Sequence, residues 1–211
     1  CSKKCIITMR GAGMKITVVS DWHGNFKRTK DIPTSDVICV CGDMIGRSYD
    51  MAIYPGWLEN LPARLVLVIP GNHDVFLDEH WAPDSIKVFN PTKTPIEYKG
   101  VAFGGFCWSY TEDPILEEVW KFMTTNGAFL SEKLGCLPKC DVLLSHSPPV
   151  GCDMEIFNGL DIGVPKMLSW AKQNGCQLIV CGHVHEHSGK IFEADGVKVV
   201  NAACTIVTLD I

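Results

Sequence analysis

The sequence predicts an α/β fold with mixed sheets, and three observations lead to this prediction. Short runs rich in Val, Ile and Leu recur along the chain, segments with helical spacing lie between several of them, and the last runs lie close enough to form a hairpin. The chain has 211 residues, of which 46% are hydrophobic and 20% are charged. This composition is typical of a folded domain and argues against a largely disordered chain.

Eight apolar runs are predicted to form strands. The first six are continuous runs bounded by polar, Gly or Pro residues, which suits strands that are buried on both faces. Two later runs add to the sheets, and Asp195-Gly196 is the predicted turn of a hairpin whose first arm is 190–193. In chain order the predicted strands are 15–20, 36–41, 64–69, 101–106, 141–145, 177–181, 196–200 and 205–211.

Three segments between these strands are predicted to be helical. Residues 113–124 offer Asp113 as a cap, a proline at the first helical position and apolar residues at helical spacing. Residues 165–174 begin with proline and are followed by glycine, which is typical of a helix end. Residues 51–61 are expected to form a third helix that is broken near Pro55.

Charge and length narrow the class of protein. The formal net charge is -5, which argues mildly against nucleic acid as a partner, because such partners are usually bound through their phosphates by basic surfaces. No apolar run reaches about 18 residues, so no membrane span is predicted. The chain contains no internal repeat or linker, and we expect a single domain over residues 14–211 with residues 1–13 as an N-terminal extension.

Cysteine usage points to a reducing compartment. The chain has 11 cysteines, an odd number that does not suit a disulfide framework. Several of them, including Cys39, Cys41, Cys181 and Cys204, lie in apolar strand-like runs, where we expect small buried side chains. No pair has the CxxC spacing of a zinc knuckle. A cytoplasmic protein with reduced thiols is therefore predicted.

Polar clusters follow five of the predicted strands. Because ligands of α/β sheets gather at the carboxyl ends of strands, these clusters predict one shared site. The clusters cover residues 20–25, 42–43, 70–74, 145–149 and 182–185. Five of the seven histidines lie in them, namely His23, His73, His146, His183 and His185.

The residue types in these clusters suit a metal centre. Asp21, Asp43 and Asn72 offer oxygen, and four of the histidines offer imidazole nitrogen, donors that suit manganese, iron, zinc, nickel or cobalt. The Asp-x-His and His-x-His spacings place both side chains of an extended segment on one side. Seven ligands exceed the needs of one ion, so two ions that share a bridging carboxylate are predicted.

The five blocks, in this order, resemble the calcineurin-like metallophosphoesterase superfamily. The matching residues are Asp21–His23, Gly42–Asp43, Gly71–Asp74, His146 and Gly182–His185. Within the superfamily the chain is most similar to small stand-alone phosphodiesterases, the branch that includes brain-type metallophosphoesterase-domain proteins. The segments that carry this finer likeness are 69–74, 103–109, 145–151, 182–186 and 201–204. The resemblance implies a four-layer α/β/β/α sandwich of two mixed sheets flanked by helices.

The resemblance also implies a role for each site residue. Asp21, His23 and His185 would hold the first ion, and Asn72, His146 and His183 the second, with Asp43 bridging the two. His73 would face the scissile phosphate and stabilise or protonate the leaving oxygen, with Asp74 orienting its ring as a dyad. The implied substrate contacts are Asn72, Arg47 and Trp108. Arg47 has the alternative of a solvated loop charge, and Trp108 that of core packing.

The implied activity is that of a binuclear-metal-dependent phosphodiesterase, in which a metal-bridging hydroxide attacks the phosphorus of small or nucleotide phosphodiesters. The expected cofactors are two divalent ions, with Mn²⁺ favoured and Fe, Zn, Ni or Co as alternatives. A Ser/Thr protein phosphatase or phosphomonoesterase is the alternative activity, although Gly46 and Ser48 depart from the GDxxDRG motif of that family. An inactive metal-binding scaffold is the third hypothesis. The expected partner is a small phosphoester, with no membrane and with nucleic acid as the less favoured substrate, and the sequence leaves open whether a protein also binds.

Overall fold

Two six-stranded mixed sheets pack face to face at the centre of the structure, a computed structural model that describes residues 2–6, 13–157 and 159–211. The strands of the described ranges are β1 (Ser2–Ile6), β2 (Lys15–Val19), β3 (Ser35–Cys41), β4 (Ala63–Ile69), β5 (Val88–Phe89), β6 (Ile96–Tyr98), β7 (Val101–Phe106), β8 (Ser109–Tyr110), β9 (Met123–Thr124), β10 (Val142–Ser145), β11 (Ile156–Phe157), β12 (Leu160–Asp161), β13 (Leu178–Cys181), β14 (Ile191–Ala194), β15 (Val197–Asn201) and β16 (Ile206–Asp210). The α-helices are α1 (Tyr54–Glu59), α2 (Pro114–Val119), α3 (Gly127–Gly135) and α4 (Met167–Asn174), and 3-10 turns cover Phe26–Asp31, Ser48–Ala52 and His185–His187.

Both sheets are mixed. The first has the order β1-β16-β2-β3-β4-β5, in which only the β16–β2 pair is antiparallel. The second has the order β14-β15-β13-β10-β7-β6, with a parallel centre and an antiparallel strand at each edge. All eight predicted strands are present, with ends that differ from the prediction by at most two residues. The prediction of two mixed sheets in an α/β fold is confirmed.

The strands are apolar on both faces because each sheet lies between two layers. In β3, Cys39 points into the core between the sheets, whereas Ile38 and Val40 pack against the layer that contains α1. In β13, Val180 points into the central core, and Ile179 packs with residues of α3 and α4. The arrangement is the predicted four-layer sandwich, and it explains why the strand sequences are continuous apolar runs.

The cysteines in these strands are buried thiols, as the sequence predicts. Cys39, Cys41 and Cys181 are fully buried, and burial raises the pKa of each thiol far above its usual value. All nine cysteines of the part of the chain that has described side chains are free. Cys204 differs from the prediction, because it is only partly buried.

The predicted helix over residues 113–124 is wrong in its second half. Helix α2 ends at Val119, and Phe122 has a φ of +54°. The chain then forms β9, which pairs with β8, and the Ser109 amide donates to the Phe122 carbonyl (2.7 Å). Tertiary pairing outweighs the helical spacing here, since a short helix gains most of its stability from packing.

The other helices differ from the prediction at their ends. Pro55 does not break a helix but lies in the first turn of α1, where its missing N–H costs nothing. Helix α4 begins at Met167 because Lys166 has a left-handed backbone (φ +62°). Helix α3 was not predicted. Its N-cap is Asn126, whose side chain accepts hydrogen bonds from the amides of Ala128 and Phe129.

Strand β1 places residues 2–6 at the edge of the first sheet, parallel to β16. Residues 1 and 7–12 of the expected N-terminal extension lie outside the described residues. We propose that residues 14–211 form one domain, because both sheets contribute residues to one central core. Within the described ranges, no helix combines the length and apolarity needed to cross a bilayer.

The predicted hairpin turn lies between β14 and β15, and its glycine provides a stability test. Asp195 and Gly196 have φ values of +51° and +80°, which match a two-residue primed turn. A Cβ at Gly196 would meet no atom within 4 Å. The cost of an alanine there is therefore only that of holding a residue with a Cβ at a positive φ. We expect Gly196→Ala to lower the free energy of unfolding by about 1 kcal/mol.

A matched control is Gly56→Ala in α1, where the added Cβ is also uncrowded. Its φ is not in the left-handed region, so Ala is expected to be neutral or to stabilise by up to about 1 kcal/mol. Urea denaturation measures both variants. Equal changes in the two variants would contradict the assigned turn.

Candidate functional site

The five polar clusters meet at one end of the two sheets. They follow β2, β3 and β4 of the first sheet and β10 and β13 of the second. Backbone hydrogen bonds join neighbouring clusters, from the Asp21 amide to the Gly42 carbonyl (3.1 Å) and from the Gly182 amide to the His146 carbonyl (2.9 Å). The seven expected metal ligands therefore lie side by side although up to 164 positions separate them in sequence.

Several of these side chains are carried by strained backbone. Asp21, His23, Asp43 and His183 have φ values of 59°, 45°, 53° and 67°. A left-handed backbone costs a residue with a Cβ roughly 1–3 kcal/mol and persists only where the surroundings enforce it. The His23 amide, for example, donates to the Asp43 carbonyl (3.0 Å). The strain aims the side chains at a common centre at a cost in stability.

Glycines allow the clusters to approach one another. Gly42 has a φ of +89°, and a Cβ there would lie 2.5 Å from the Gly71 nitrogen and 2.7 Å from His146 Nδ1. A Cβ on Gly182 would overlap the side chains of Ser20 and Asp21. Only glycine leaves room for the site at these positions.

The ligand atoms form overlapping groups that suit metal ions. The atoms of Asp21, His23 and His185 lie within 4.8 Å of one another, and so do those of Asp43, His146 and His183. Asn72 Oδ1 joins the second group at 2.8 Å from His146 Nε2. Carboxylate, amide and imidazole donors match the chemistry of divalent transition metals, so these residues fit the predicted ions.

A third group links the other two. The ligand atoms of His23, Asp43 and His73 also lie within 4.8 Å of one another. His146 is orientated by its Nδ1 atom, which lies 2.8 Å from the Cys41 carbonyl oxygen. This contact leaves Nε2 facing Asp43 Oδ2 at 3.4 Å, an arrangement typical of a metal-binding histidine.

In the buried half of the site, the interaction between Asp43 and His146 outweighs the effect of burial on the pKa values of these two groups. Burial raises the pKa of Asp43, but attraction to His146 and a hydrogen bond with that ring outweigh burial and hold the pKa well below its usual value. Burial lowers the pKa of His146, and attraction to Asp43 reverses this and raises it to about 9. Burial and repulsion from His146 lower the pKa of His183 to about 4.

On the more exposed side, His185 faces Asp21. Their Nε2 and Oδ1 atoms are 3.2 Å apart. The hydrogen bond with Asp21 and a second with Cys204 raise the pKa of His185 to about 10. Each half of the site thus contains a buried carboxylate, Asp43 in one and Asp21 in the other, that attracts a positively charged imidazole. A divalent cation could supply this positive charge instead.

Asp74 contacts backbone rather than the ring of His73. Its fully buried carboxylate accepts hydrogen bonds from the amides of Asp43 (2.7 Å), Gly71 (2.9 Å) and Ile45 (3.0 Å). These hydrogen bonds tie Asp74 to backbone, and its expected role in orienting the His73 ring stays a prediction. Burial and repulsion from Asp43 raise its pKa to about 7. Asp74 is a positioning residue for two loops.

His73 is half-buried at the edge of the ligand cluster. Its amide donates to Asp43 Oδ1 (2.8 Å), and its Nε2 lies 4.0 Å from Asp43 Oδ2. The ring of Trp120 lies against it, with ring centroids 3.9 Å apart. The sequence did not predict Trp120 as a site residue, because its segment was expected to continue the helix. The break after α2 brings it to the site instead.

A cavity of about 230 Å³ opens over the cluster. Its floor is formed by predicted site residues and its walls mainly by apolar side chains. The floor residues are His23, Asp43, Asn72, His73, His183 and His185, and the wall residues are Tyr110, Thr111, Leu116, Trp120, Met123 and Ile162. The cavity therefore joins a polar floor that suits metal ions to apolar walls.

Two expected substrate contacts do not line this cavity. Arg47 is exposed, and its guanidinium donates to the Tyr49 hydroxyl (3.1 Å). Trp108 is half-buried, donates from Nε1 to Glu79 Oε1 (3.2 Å) and packs edge-on against Phe129. The structure places both residues in the alternatives that the sequence left open, a solvated loop charge and core packing.

The three amides that Asp74 satisfies provide a second stability test. Asp74→Ala leaves three buried donors without an acceptor, and we expect the free energy of unfolding to fall by about 3 kcal/mol or more. Asp74→Asn keeps one acceptor oxygen and is expected to cost less. Asp78→Ala is the control, because that side chain is 94% exposed. Urea denaturation that gives similar small losses for Asp74→Ala and Asp78→Ala would contradict the assigned role.

Comparison with known families gives an independent view of the same residues. The family described as calcineurin-like phosphoesterase matches residues 14–187. This span contains all five polar clusters and therefore every expected metal ligand. The superfamily resemblance inferred from the motifs is confirmed.

Individual proteins are similar over most of the chain. Metallophosphoesterase domain-containing protein 1 of Homo sapiens is 27% identical over 223 residues, which cover 91% of this chain and 67% of that protein, and the same figures hold for its Mus musculus counterpart. The solved structure of phosphopantetheinyl hydrolase from Mycobacterium tuberculosis has a TM-score of 0.63 and 17% identity, and the match covers 92% of this chain and 90% of that one. At this identity the structural likeness bears on the fold alone.

Proposed function

Because the chain belongs to the calcineurin-like phosphoesterase family and is a metal-dependent phosphoester hydrolase, we propose that its substrates are phosphodiesters. The cavity carries this proposal. The described residues that line it include no Lys or Arg, whereas a phosphomonoester presents two negative charges near neutral pH and is commonly bound by such cations. A diester carries one charge and a second organic group, and the apolar walls suit that group.

The proposed cofactors are two divalent ions at the floor of the cavity. Asp21, His23 and His185 would hold one ion, and Asn72, His146 and His183 the other, with Asp43 shared between them. Mn²⁺ is the favoured metal, and Fe, Zn, Ni and Co suit the same donors. When bound, two such ions stabilise charge on the phosphoryl oxygens and lower the pKa of water.

The protein side chains have separate proposed tasks around the phosphate. His73 Nε2 faces the ligand cluster beside Asp43, and we assign to it the proton that the leaving oxygen receives. The Trp120 ring lies against that ring and shields part of it from water. Asp74 holds the loops of Asp43 and His73 in register through backbone hydrogen bonds.

A reducing, cytoplasmic location is part of the proposal. Cys39, Cys41 and Cys181 pack as small apolar side chains in the middle of the sheets, and thiols in such positions are typical of proteins from reducing compartments. The proposed partner is the small phosphoester itself.

Paired chromogenic substrates test the proposed activity. Metal-depleted protein is assayed with bis(p-nitrophenyl) phosphate and with p-nitrophenyl phosphate, with and without Mn²⁺. We expect turnover of the diester only with metal, and a slower reaction of the monoester. His73→Ala is expected to lower kcat by about 10²–10⁴-fold, because proton transfer to the leaving oxygen is lost, while the bound metal measured by mass spectrometry stays the same.

His80→Ala is the matched control, since His80 lies on the same loop but its ring is hydrogen-bonded to Thr92. It should keep wild-type turnover. Monoester turnover alone would favour the phosphatase alternative. A folded, metal-loaded protein without any turnover would favour the scaffold alternative, and full diester turnover in His73→Ala would contradict the assignment of this residue.

A further inference from the structure

The apolar wall of the cavity continues onto the outer surface of the protein. Leu116 and Trp120 of α2 and its C-cap line the cavity. Ile115 and Val119 are 66% and 55% exposed. Their helical spacing places them next to Leu116 and Trp120 on one apolar face of the helix. None of these four residues belongs to an apolar core cluster of the described residues. An exposed apolar stripe that is continuous with a cavity is typical of a ligand-binding groove.

The polar contacts of α2 hold its apolar face in this position. The Glu117 carboxylate accepts hydrogen bonds from the hydroxyls of Thr124 and Thr125 (both 2.7 Å). At the end of the helix, the Lys121 ammonium donates to the Leu77 carbonyl (2.6 Å) on the loop that follows His73. The helix is anchored through its charged residues, so its aliphatic residues remain available to a ligand.

A second exposed apolar surface borders the same cavity. Ile162 lines the cavity, and Leu160 lies two residues earlier on the extended β12 segment. Residues two apart on an extended segment point to the same side. Leu160 is 50% exposed. The aliphatic lining therefore extends from the floor to the rim on two separate segments.

Charge at the rim argues for an uncharged occupant. The described residues that line the cavity include no Lys or Arg, and Glu112 and Glu118 are exposed on the α2 segment. A nucleotide with a further phosphate, or an anionic membrane surface, would be repelled by these carboxylates. The same surface accepts a neutral hydrocarbon chain without an electrostatic penalty.

We propose that the site takes phosphodiesters in which one substituent is a long aliphatic chain, with the phosphate on the metal floor and the chain along α2 and residues 160–162. This inference rests on the proposed phosphodiesterase function. The cavity of about 230 Å³ is smaller than a typical drug-sized pocket of roughly 300–1,000 Å³. It holds the phosphate and the first part of the chain, and the exposed residues cover the remainder.

A series of alkyl p-nitrophenyl phosphates tests the inference. Methyl, hexyl and dodecyl esters are assayed as monomers with the Mn²⁺-loaded protein. Each methylene that leaves water is worth up to about a fourfold gain in kcat/KM, and a partly open groove about twofold. At twofold per methylene, the hexyl ester is expected to react about thirtyfold faster than the methyl ester.

Substitutions in the groove test where the aliphatic substituent binds. Leu116→Ser and Val119→Ser are expected to reduce the hexyl-to-methyl ratio of kcat/KM at least threefold each, because each removes aliphatic surface from the groove. Ile86→Ser is the control, since Ile86 is 97% exposed and does not line the cavity, and it should keep the wild-type ratio.

A binding measurement gives a readout that does not depend on turnover. Calorimetric titration of the Mn²⁺-loaded protein with ethyl and octyl phosphonate, which it cannot hydrolyse, should show tighter binding of octyl phosphonate and a negative heat-capacity change, the mark of apolar burial. Val119→Ser should reduce that difference, and Ile86→Ser should not.

The outcomes separate this inference from the proposed function. Turnover of the methyl ester with a flat chain-length series, or equal binding of the two phosphonates, would overturn the aliphatic-chain inference and leave the phosphodiesterase proposal standing. No turnover of any diester would overturn the proposed function, and the phosphonate titration would then decide the inference alone. Faster turnover of thymidine 5′-p-nitrophenyl phosphate than of the hexyl ester would overturn the inference in favour of a nucleotide.

Discussion

The buried carboxylate of Asp74 is the contact on which the geometry of the site depends. It accepts hydrogen bonds from the amides of Asp43, Ile45 and Gly71, and so joins the loops that follow β3 and β4. Asp43 in turn accepts the amide of His73. The positions of the Asp43 carboxylate and of the His73 loop are therefore set by one network of backbone hydrogen bonds, which is more rigid than contacts between flexible side chains.

The geometry of the site lowers the stability of the folded protein. Left-handed backbone at Asp21, Asp43 and His183, together with buried carboxylates beside buried imidazoles, would be unfavourable in an ordinary core. Divalent ions at the floor would relieve part of this cost, since they offer the carboxylates a stronger positive partner than imidazolium. The apolar layers on both sides of the sheets supply the stability that tolerates the strain.

The sequence predicted those elements that depend mainly on neighbouring residues, namely the buried strands and one hairpin turn. The buried strands were predictable because β-branched runs apolar on both faces have few alternatives, and the turn at Asp195-Gly196 was predictable from its residue types. The end of α2 was not, because pairing of Met123 with Ser109 depends on residues far along the chain. For the same reason Trp120 was missed, and the wall of the cavity with it.

The composition of the site was predictable to a greater extent than its contacts. The five histidine- and aspartate-containing clusters identified the residues that converge, because strand ends of an α/β sheet meet at one edge. The partner of Asp74 was not predictable, since adjacency to His73 in sequence does not reveal which atoms face each other. Arg47 and Trp108 were selected by motif, and only the three-dimensional structure shows that neither lines the cavity.

We propose that these strand ends hold two metal ions with Asp43 between them. Anomalous X-ray diffraction from crystals of the Mn²⁺-loaded protein would locate both ions. Two manganese peaks are expected about 3.5–4 Å apart, one beside Asp21 and His185 and the other beside His146 and His183, with Asp43 contacting both. A single peak, or peaks away from Asp43, would contradict this proposal.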